Sequence, residues 1–162
     1  MANATSSTNA KVLPGLLQTK LGGNCSYVIN SDEAWVYKKG TIGNSSTLFN
    51  TSDKYLELNT NLTTAKQVCW ICIKHTGKNS SGENTSESIM LSFGSNNPLY
   101  NGTGGANTNN LIIGPKEILV LKLNGVTVAD LRCASVNYIG GGIASSAGAE
   151  IISADVIGVV SS

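Results

Sequence analysis

The chain alternates short apolar runs with polar spacers, and over much of its length the period of that alternation is two residues. Over residues 88–93 every second position is Ile, Leu or Phe, and over residues 117–123 every second position from 119 is Leu. Successive side chains of a strand point to opposite faces, so a period of two indicates a strand with one buried face. Both segments are therefore predicted to be half-buried β-strands.

Two other segments have different patterns. Residues 68–73 are apolar at every position, which in a strand indicates burial on both faces, so this segment is predicted to be a central strand. Residues 54–58 are predicted to form a half-buried strand with Tyr55 on its wet face and Leu56 on its dry face. The polar stretch 75–87 is predicted to be a loop.

Turn signals separate the strands. Residues 30–33 (Asn-Ser-Asp-Glu) predict a hairpin between strands at 26–30 and 34–39, and Asn124-Gly125 predicts a type I′ hairpin. The pattern gives about eight or nine strands and no convincing amphipathic helix. It predicts an all-β fold, a single-domain β-sandwich with jelly-roll or Greek-key connections.

The first 20 residues are predicted to be an extended N-terminal arm preceding a β-sandwich domain at 21–162. Pro14 fixes its own φ and disfavours a helix in the apolar patch of the arm. This patch could hold the arm against its own domain or reach a neighbouring subunit. As candidate intersubunit contacts we take the apolar residues Val12, Leu13, Leu16 and Leu17.

A second candidate contact region is the Gly-, Asn- and Thr-rich stretch 94–110, which is long enough for a surface loop. Its candidate contact residues are Asn101, Thr103, Asn107 and Asn109.

Charge excludes some partners. Eleven basic and ten acidic residues give a net charge of +1, which is too small to attract nucleic acid or an anionic membrane. The first residues have no basic stretch followed by an apolar core, and no later run is long enough to cross a bilayer. We therefore expect a cytosolic chain with no nucleic-acid or membrane partner.

Candidate chemistry is sparse. Cys69, Cys72 and His75 have zinc-like spacing, but in a strand the two thiols would point to opposite faces, and no second Cys pair completes a ligand set. Buried, reduced core cysteines and a solvated His75 at a strand end are expected instead. No nucleophile elbow and no pair of carboxylates suited to acid–base catalysis is found. The sequence thus predicts no enzyme, metal or cofactor.

The aromatic residues leave one alternative open. Trp35 and Tyr37 would share one strand face, which Tyr55 and Tyr100 could join as a platform for sugars. A core role for Trp35 is favoured because large aromatic side chains usually supply burial. A carbohydrate-binding β-sandwich module therefore stays an alternative.

The segments Leu111–Arg132 and Ala147–Val156, with a Gly-x-x-x-x-Leu strand from Gly114 to Leu119, a short hairpin and a Gly/Ala-rich final strand, resemble small β-sandwich structural proteins of tailed-bacteriophage virions. In size and polar arm the chain is most similar to capsid decoration (cement) proteins, which often trimerise. The resemblance implies a non-enzymatic structural protein on the capsid surface, assembled in the host cytoplasm. Its implied partners are the major capsid protein and copies of itself, as a homotrimer. A tail, collar or fibre subunit for host attachment is the alternative.

Overall fold

A computed structural model describes residues 3–12, 19–43, 46–56, 60–93, 110–139, 142–144 and 150–161. Within these ranges the chain forms eleven strands, joined by turns and irregular segments, with no helix. Every strand pairing is antiparallel. The prediction of an all-β fold is therefore confirmed. The described part of the chain contains no helix that could span a membrane.

Residues Met1–Ser31 form a compact unit of their own, built on two strands. Strand β1 (Asn3–Val12) pairs with β2 (Thr19–Val28) along its whole length, from Asn3 opposite Val28 to Val12 opposite Thr19. The arm predicted at residues 1–20 thus covers β1 and only the first residues of β2.

The second unit, Asp32–Ser162, contains two antiparallel sheets. The first sheet has the order β3-β11-β5-β8. Its strands are β3 (Glu33–Ile42), β11 (Ile152–Ser161), β5 (Gln67–Asn79) and β8 (Ile118–Thr127). The second has the order β10-β9-β6-β7, with β4 also paired to β9. Its strands are β4 (Ser46–Thr47), β6 (Ser88–Phe93), β7 (Asn110–Ile113), β9 (Leu131–Ile139) and β10 (Gly142–Ala144).

The pairings of the second unit are nested. With the short strand β10 set aside, the first strand pairs with the last (β3 with β11), the second with the seventh (β4 with β9), the third with the sixth (β5 with β8), and the fourth with the fifth (β6 with β7). Two further pairings, β11 with β5 and β9 with β6, complete the two sheets. The first four strands are therefore matched, in reverse order, by the last four.

Among the described residues, a hydrophobic core cluster contains side chains of both sheets. Alternate positions of β5, among them Ile71 and Ile73, are fully buried, and so are Ile89 and Leu91 of β6. Leu119, Leu121 and Leu123 of the edge strand β8 pack against this core, as their spacing predicts. Burying a side chain of this size contributes about 1.5–3 kcal/mol, so the core is the main stabilising element of the unit.

The run at 68–73 lies in β5, between β11 and β8, and the prediction of a central strand is confirmed. Its cysteines are less buried than expected. Cys69 and Cys72 are half-buried, whereas Cys133 of β9 is buried. A register shift between Val68 and Trp70 interrupts the simple alternation of faces at this point, and Cys72 lies on the outer face of the sheet.

Both predicted hairpins are wrong. Strand β2 forms its ladder with β1, and β3 forms its ladder with β11, so the turn at 30–33 is not the turn of a hairpin. Asn124 and Gly125 lie inside β8, where Gly125 has φ 73° beside an irregularity in the pairing with β5. The positive φ that favours a type I′ turn serves a bulge here. The chain reverses at 127–130 instead, where the Asp130 N–H donates to the Thr127 carbonyl (3.0 Å).

The strand predicted at 54–58 is also wrong in its orientation. Tyr55 is 4% exposed and its hydroxyl donates to the Ser161 carbonyl, whereas Leu56 is 60% exposed. Isolated bridges replace a strand here, with Tyr55 opposite Val36. The predicted orientation failed because this segment forms isolated bridges instead of a regular strand, so its side chains need not alternate between a buried and an exposed face.

One glycine allows a close approach in the core. A Cβ on Gly158 of β11 would lie 2.6 Å from Cζ of the fully buried Phe49 ring. We expect Gly158→Ala to lower the free energy of unfolding by about 1–3 kcal/mol, because the fully buried Phe49 ring would have to shift to make room for the added methyl group. Urea denaturation measures this. The matched control is Gly40→Ala on the neighbouring strand, where the added Cβ would meet only Lys38 side-chain carbons, the nearest at 3.5 Å. Equal stability of the two variants would contradict this packing.

Candidate functional site

The contact residues predicted from sequence lie almost entirely outside the described part of the chain. Val12 is the last residue of β1. Outside the described residues lie Leu13, Leu16, Leu17, Asn101, Thr103, Asn107 and Asn109. The described residues that stand out by their burial or exposure lie in two other places, the second half of β5 and the outer face of the first sheet.

His75 is buried, and the prediction of a solvated strand-end residue is wrong. It is 0% exposed and lies on the same core-facing side of β5 as Ile71 and Ile73. The Gly77 N–H donates to its Nδ1 (2.9 Å), so the ring proton is on Nε2 and donates to the Glu87 carbonyl (2.9 Å). The strand is longer than expected, because it continues to Asn79. The two-residue spacing from Ile71 through Ile73 to His75 already indicated that His75 belongs to the buried face of the strand.

The hydrogen bond from His75 to Glu87 joins the two sheets, because Glu87 directly precedes β6. Glu87 is itself 8% exposed, and its Oε2 has no hydrogen-bond partner. Burial raises the pKa of this carboxyl, and the nearby charge of Glu150 raises it further, against a hydrogen bond from the Glu150 backbone that lowers it. The end of the core is thus closed by a neutral imidazole and a carboxyl that resists ionisation.

Cys69, Cys72 and His75 do not form a metal site. Cys72 lies on the outer face, opposite Ile157 of β11, whereas His75 points to the core. Among the described residues no group of three or more His, Cys, Asp or Glu side chains is arranged to hold a metal ion.

The outer face of the first sheet carries aligned rows of side chains. Trp35, Val159 and Trp70 are opposite one another on β3, β11 and β5. The two indole rings meet edge to face, with centroids 6.1 Å apart and planes at 86°, and Val159 between their strands is fully buried. This row is a packed aromatic bridge on the outside of the sheet rather than part of the core.

The next row is exposed. Opposite one another lie Tyr37, Ile157, Cys72 and Val120, on β3, β11, β5 and β8. Tyr37 is 44% exposed, Ile157 38%, and Ile118, which follows on β8, 54%. We call these five residues, Tyr37, Cys72, Ile118, Val120 and Ile157, the outer patch. Contiguous exposed apolar residues mark an interaction surface, whereas scattered ones are ordinary.

The aromatic platform considered from sequence forms only in part. Trp35 and Tyr37 share the outer face of β3, as predicted from their spacing. Tyr55 is buried and does not join them, and Tyr100 lies outside the described residues. Of the three that the structure describes, Tyr37 is exposed, Trp35 is half-buried and Tyr55 is buried.

Comparison with protein-family models, with curated proteins and with solved structures finds no match to this chain.

The burial of His75 has a measurable consequence for acid stability. Burial lowers the pKa of its imidazole below the ordinary value of 6.5, against smaller opposing effects of the Glu87 carbonyl and the Glu117 charge. The unfolded chain therefore binds a proton that the folded one does not, so stability is lost as pH falls below about 6.5. Because the chain has one histidine, proton NMR reads this group directly. We expect a midpoint below 6.5, and a midpoint at or above 6.5 in the folded protein would contradict the buried neutral ring.

Glu87 has the opposite pH dependence. Its pKa is raised above the ordinary 4.5, so its ionisation costs stability, and that cost grows as pH rises above 4.5 and through the folded-state value. We expect Glu87→Gln to be more stable than the wild type at pH 8 and to lose this advantage at pH 4. Thermal unfolding at the two pH values measures the difference. The exposed Glu83→Gln is the control, and an equal effect of both substitutions would contradict the assignment.

Proposed function

We propose that this chain is a non-enzymatic virion structural protein, a decoration or cement protein that binds a capsid shell and stabilises it. The proposal includes the major capsid protein and copies of the chain itself, as a homotrimer, as partners, and the capsid surface as its location. The resemblance of residues 111–132 and 147–156 to phage structural proteins suggested this function. The observation that supports it most is the nested strand order of the second unit.

The proposed fold is a β-sandwich of the jelly-roll type. A jelly roll is obtained when a long hairpin of eight strands is rolled up, so that the first strand pairs with the eighth, the second with the seventh, and so on. The pairings β3·β11, β4·β9, β5·β8 and β6·β7 follow this rule. Jelly rolls are the fold of many viral capsid and lectin domains, and this supports a place among virion proteins.

The interior favours a structural role. In the part of the chain that the structure describes, apolar side chains of both sheets belong to one core, and His75 and Glu87 are engaged at its end. A jelly roll that binds a ligand between its sheets needs an open, polar-lined space there. Partner binding is therefore assigned to the outside of the molecule, where the outer patch lies.

A carbohydrate-binding module is the second candidate, favoured by the exposed ring of Tyr37 beside Trp35. The two functions differ in what they bind. Calorimetry with a panel of soluble oligosaccharides would show saturable heat, lost in Tyr37→Ala, for the sugar-binding function and none for the shell-binding one. A host-attachment fibre subunit would instead bind cells in the absence of shells.

The direct test uses shells that lack the chain. Particles made by a genome from which this coding sequence is deleted are mixed with the purified protein, and cosedimentation is measured. Saturable binding at a fixed number of copies per shell, together with a rise in the temperature at which the shells break open, is the expected result. No binding, or binding without any gain in shell stability, would contradict the cement function.

The N-terminal unit provides a second prediction. Residues 1–31 form their own compact unit, so we expect a chain lacking them to keep the cooperative unfolding of residues 32–162 but to bind shells at least about tenfold more weakly. Removal of residues 1–20 alone is a poorer experiment because it would leave β2 without its partner β1. Unchanged shell affinity of the folded, shortened protein would show that residues 1–31 do not contribute to shell binding.

A further inference from the structure

The outer patch has a charged border of one predominant sign. Along the register, Lys39 of β3, Asp155 of β11 and Lys74 of β5 lie opposite one another and follow the Tyr37 row on one side. On the other side Lys122 of β8 lies opposite Trp70. Three lysines thus border the patch with a single aspartate, and Lys39, Lys74 and Lys122 are exposed.

This border distinguishes between possible occupants. If a second copy docked face to face through the same patch, the lysine borders would meet each other, and like charges brought together oppose association. A sugar would need several exposed rings and hydrogen-bonding side chains, yet Ile118, Val120 and Ile157 make up most of the patch. An apolar centre with a polar rim is the ordinary composition of a protein–protein interface.

We propose that the outer patch is the face through which the chain binds its partner protein, and that the partner presents apolar side chains bordered by Asp and Glu. This inference rests on the proposed function, in which that partner is the capsid shell. Burying Tyr37 and Ile157 provides the affinity. The lysines pair with carboxylates at the rim, where charge sets the rate and orientation of encounter.

The test compares two charge reversals on one strand. Lys74→Glu changes the border, whereas Lys78→Glu makes the same charge change four residues further along β5, at a position that is also exposed and lies outside the patch. Both are titrated against shells that lack the chain. We expect Lys74→Glu to weaken binding about fivefold or more at low salt, with a smaller difference at high salt, and Lys78→Glu to have little effect. Ile157→Lys, at the centre of the patch, should weaken binding more than either.

A second readout does not depend on any variant. Lysines of the free and shell-bound wild type are acetylated, and peptide mass mapping gives the rate at each position. Protection of Lys39 and Lys74 with unchanged reaction of Lys78 is expected. Equal protection of all three, or none, would overturn the assignment of this face.

The outcomes separate the two proposals. If the Lys74→Glu and Ile157→Lys variants both bind shells with wild-type affinity, the outer patch is not the binding face, and the shell-binding function still stands. Failure of the wild type to bind shells overturns the function and this inference together. An oligomer of the free protein that dissociates in Ile157→Lys would replace the acidic partner by a second copy, and competition by soluble oligosaccharides would replace it by a glycan.

Discussion

The second unit depends on the insertion of its last strand into the middle of its first sheet. Strand β11 hydrogen-bonds to β3 on one side and β5 on the other, so the sheet does not exist as one surface until residues 152–161 are in place. The same strand contributes Val156 and Val160 to the core and Ile157 and Val159 to the outer face. Core and outer patch therefore have a common register, and a slip of β11 by one residue would exchange them.

The two polar residues at one end of the core, His75 and Glu87, differ from the apolar rest of it in their effect on stability. Burying His75 and Glu87 costs free energy that aliphatic side chains would not. The hydrogen bond from the His75 ring to the main-chain carbonyl of Glu87 offsets part of the cost for the imidazole, whereas Oε2 of the Glu87 carboxyl has no partner. What the pair adds is a directional link between the sheets at a defined place, which apolar packing alone does not supply. Their pH dependences oppose each other, because the contribution of His75 to stability is lost as pH falls below 6.5 and that of Glu87 is lost as pH rises above 4.5.

The sequence predicted the elements of this fold better than their partners. The period-two pattern placed β6 and β8, and the continuous apolar run placed the centre of β5. The prediction that β6 has one exposed face is wrong, because Met90 and Ser92, between Ile89, Leu91 and Phe93, are also buried. The pattern could not show that β3 pairs with β11, since the choice of a partner strand more than a hundred residues away does not affect the local alternation of apolar and polar residues. The same limit applied to Asn124-Gly125, where a signal for positive φ was read as a turn but belongs to a bulge. His75 was missed because a polar residue was taken to end a strand, although its spacing from Ile73 put it on the buried face. Of the outer patch, the sequence pointed to Tyr37 as a possible contact residue, through its pairing with Trp35 on one face of β3, and did not show the neighbours that other strands bring beside it.

The most direct test of a role as shell protein is a cryo-EM reconstruction of the particles made by the genome that carries this sequence, with and without its coding region. The account predicts additional density on the outer surface of the complete particles that accommodates the two-sheet unit, with the Tyr37–Ile157 face towards the shell, and its absence from the deletion particles. Identical maps, or density that faces the shell with the opposite side of the molecule, would contradict it.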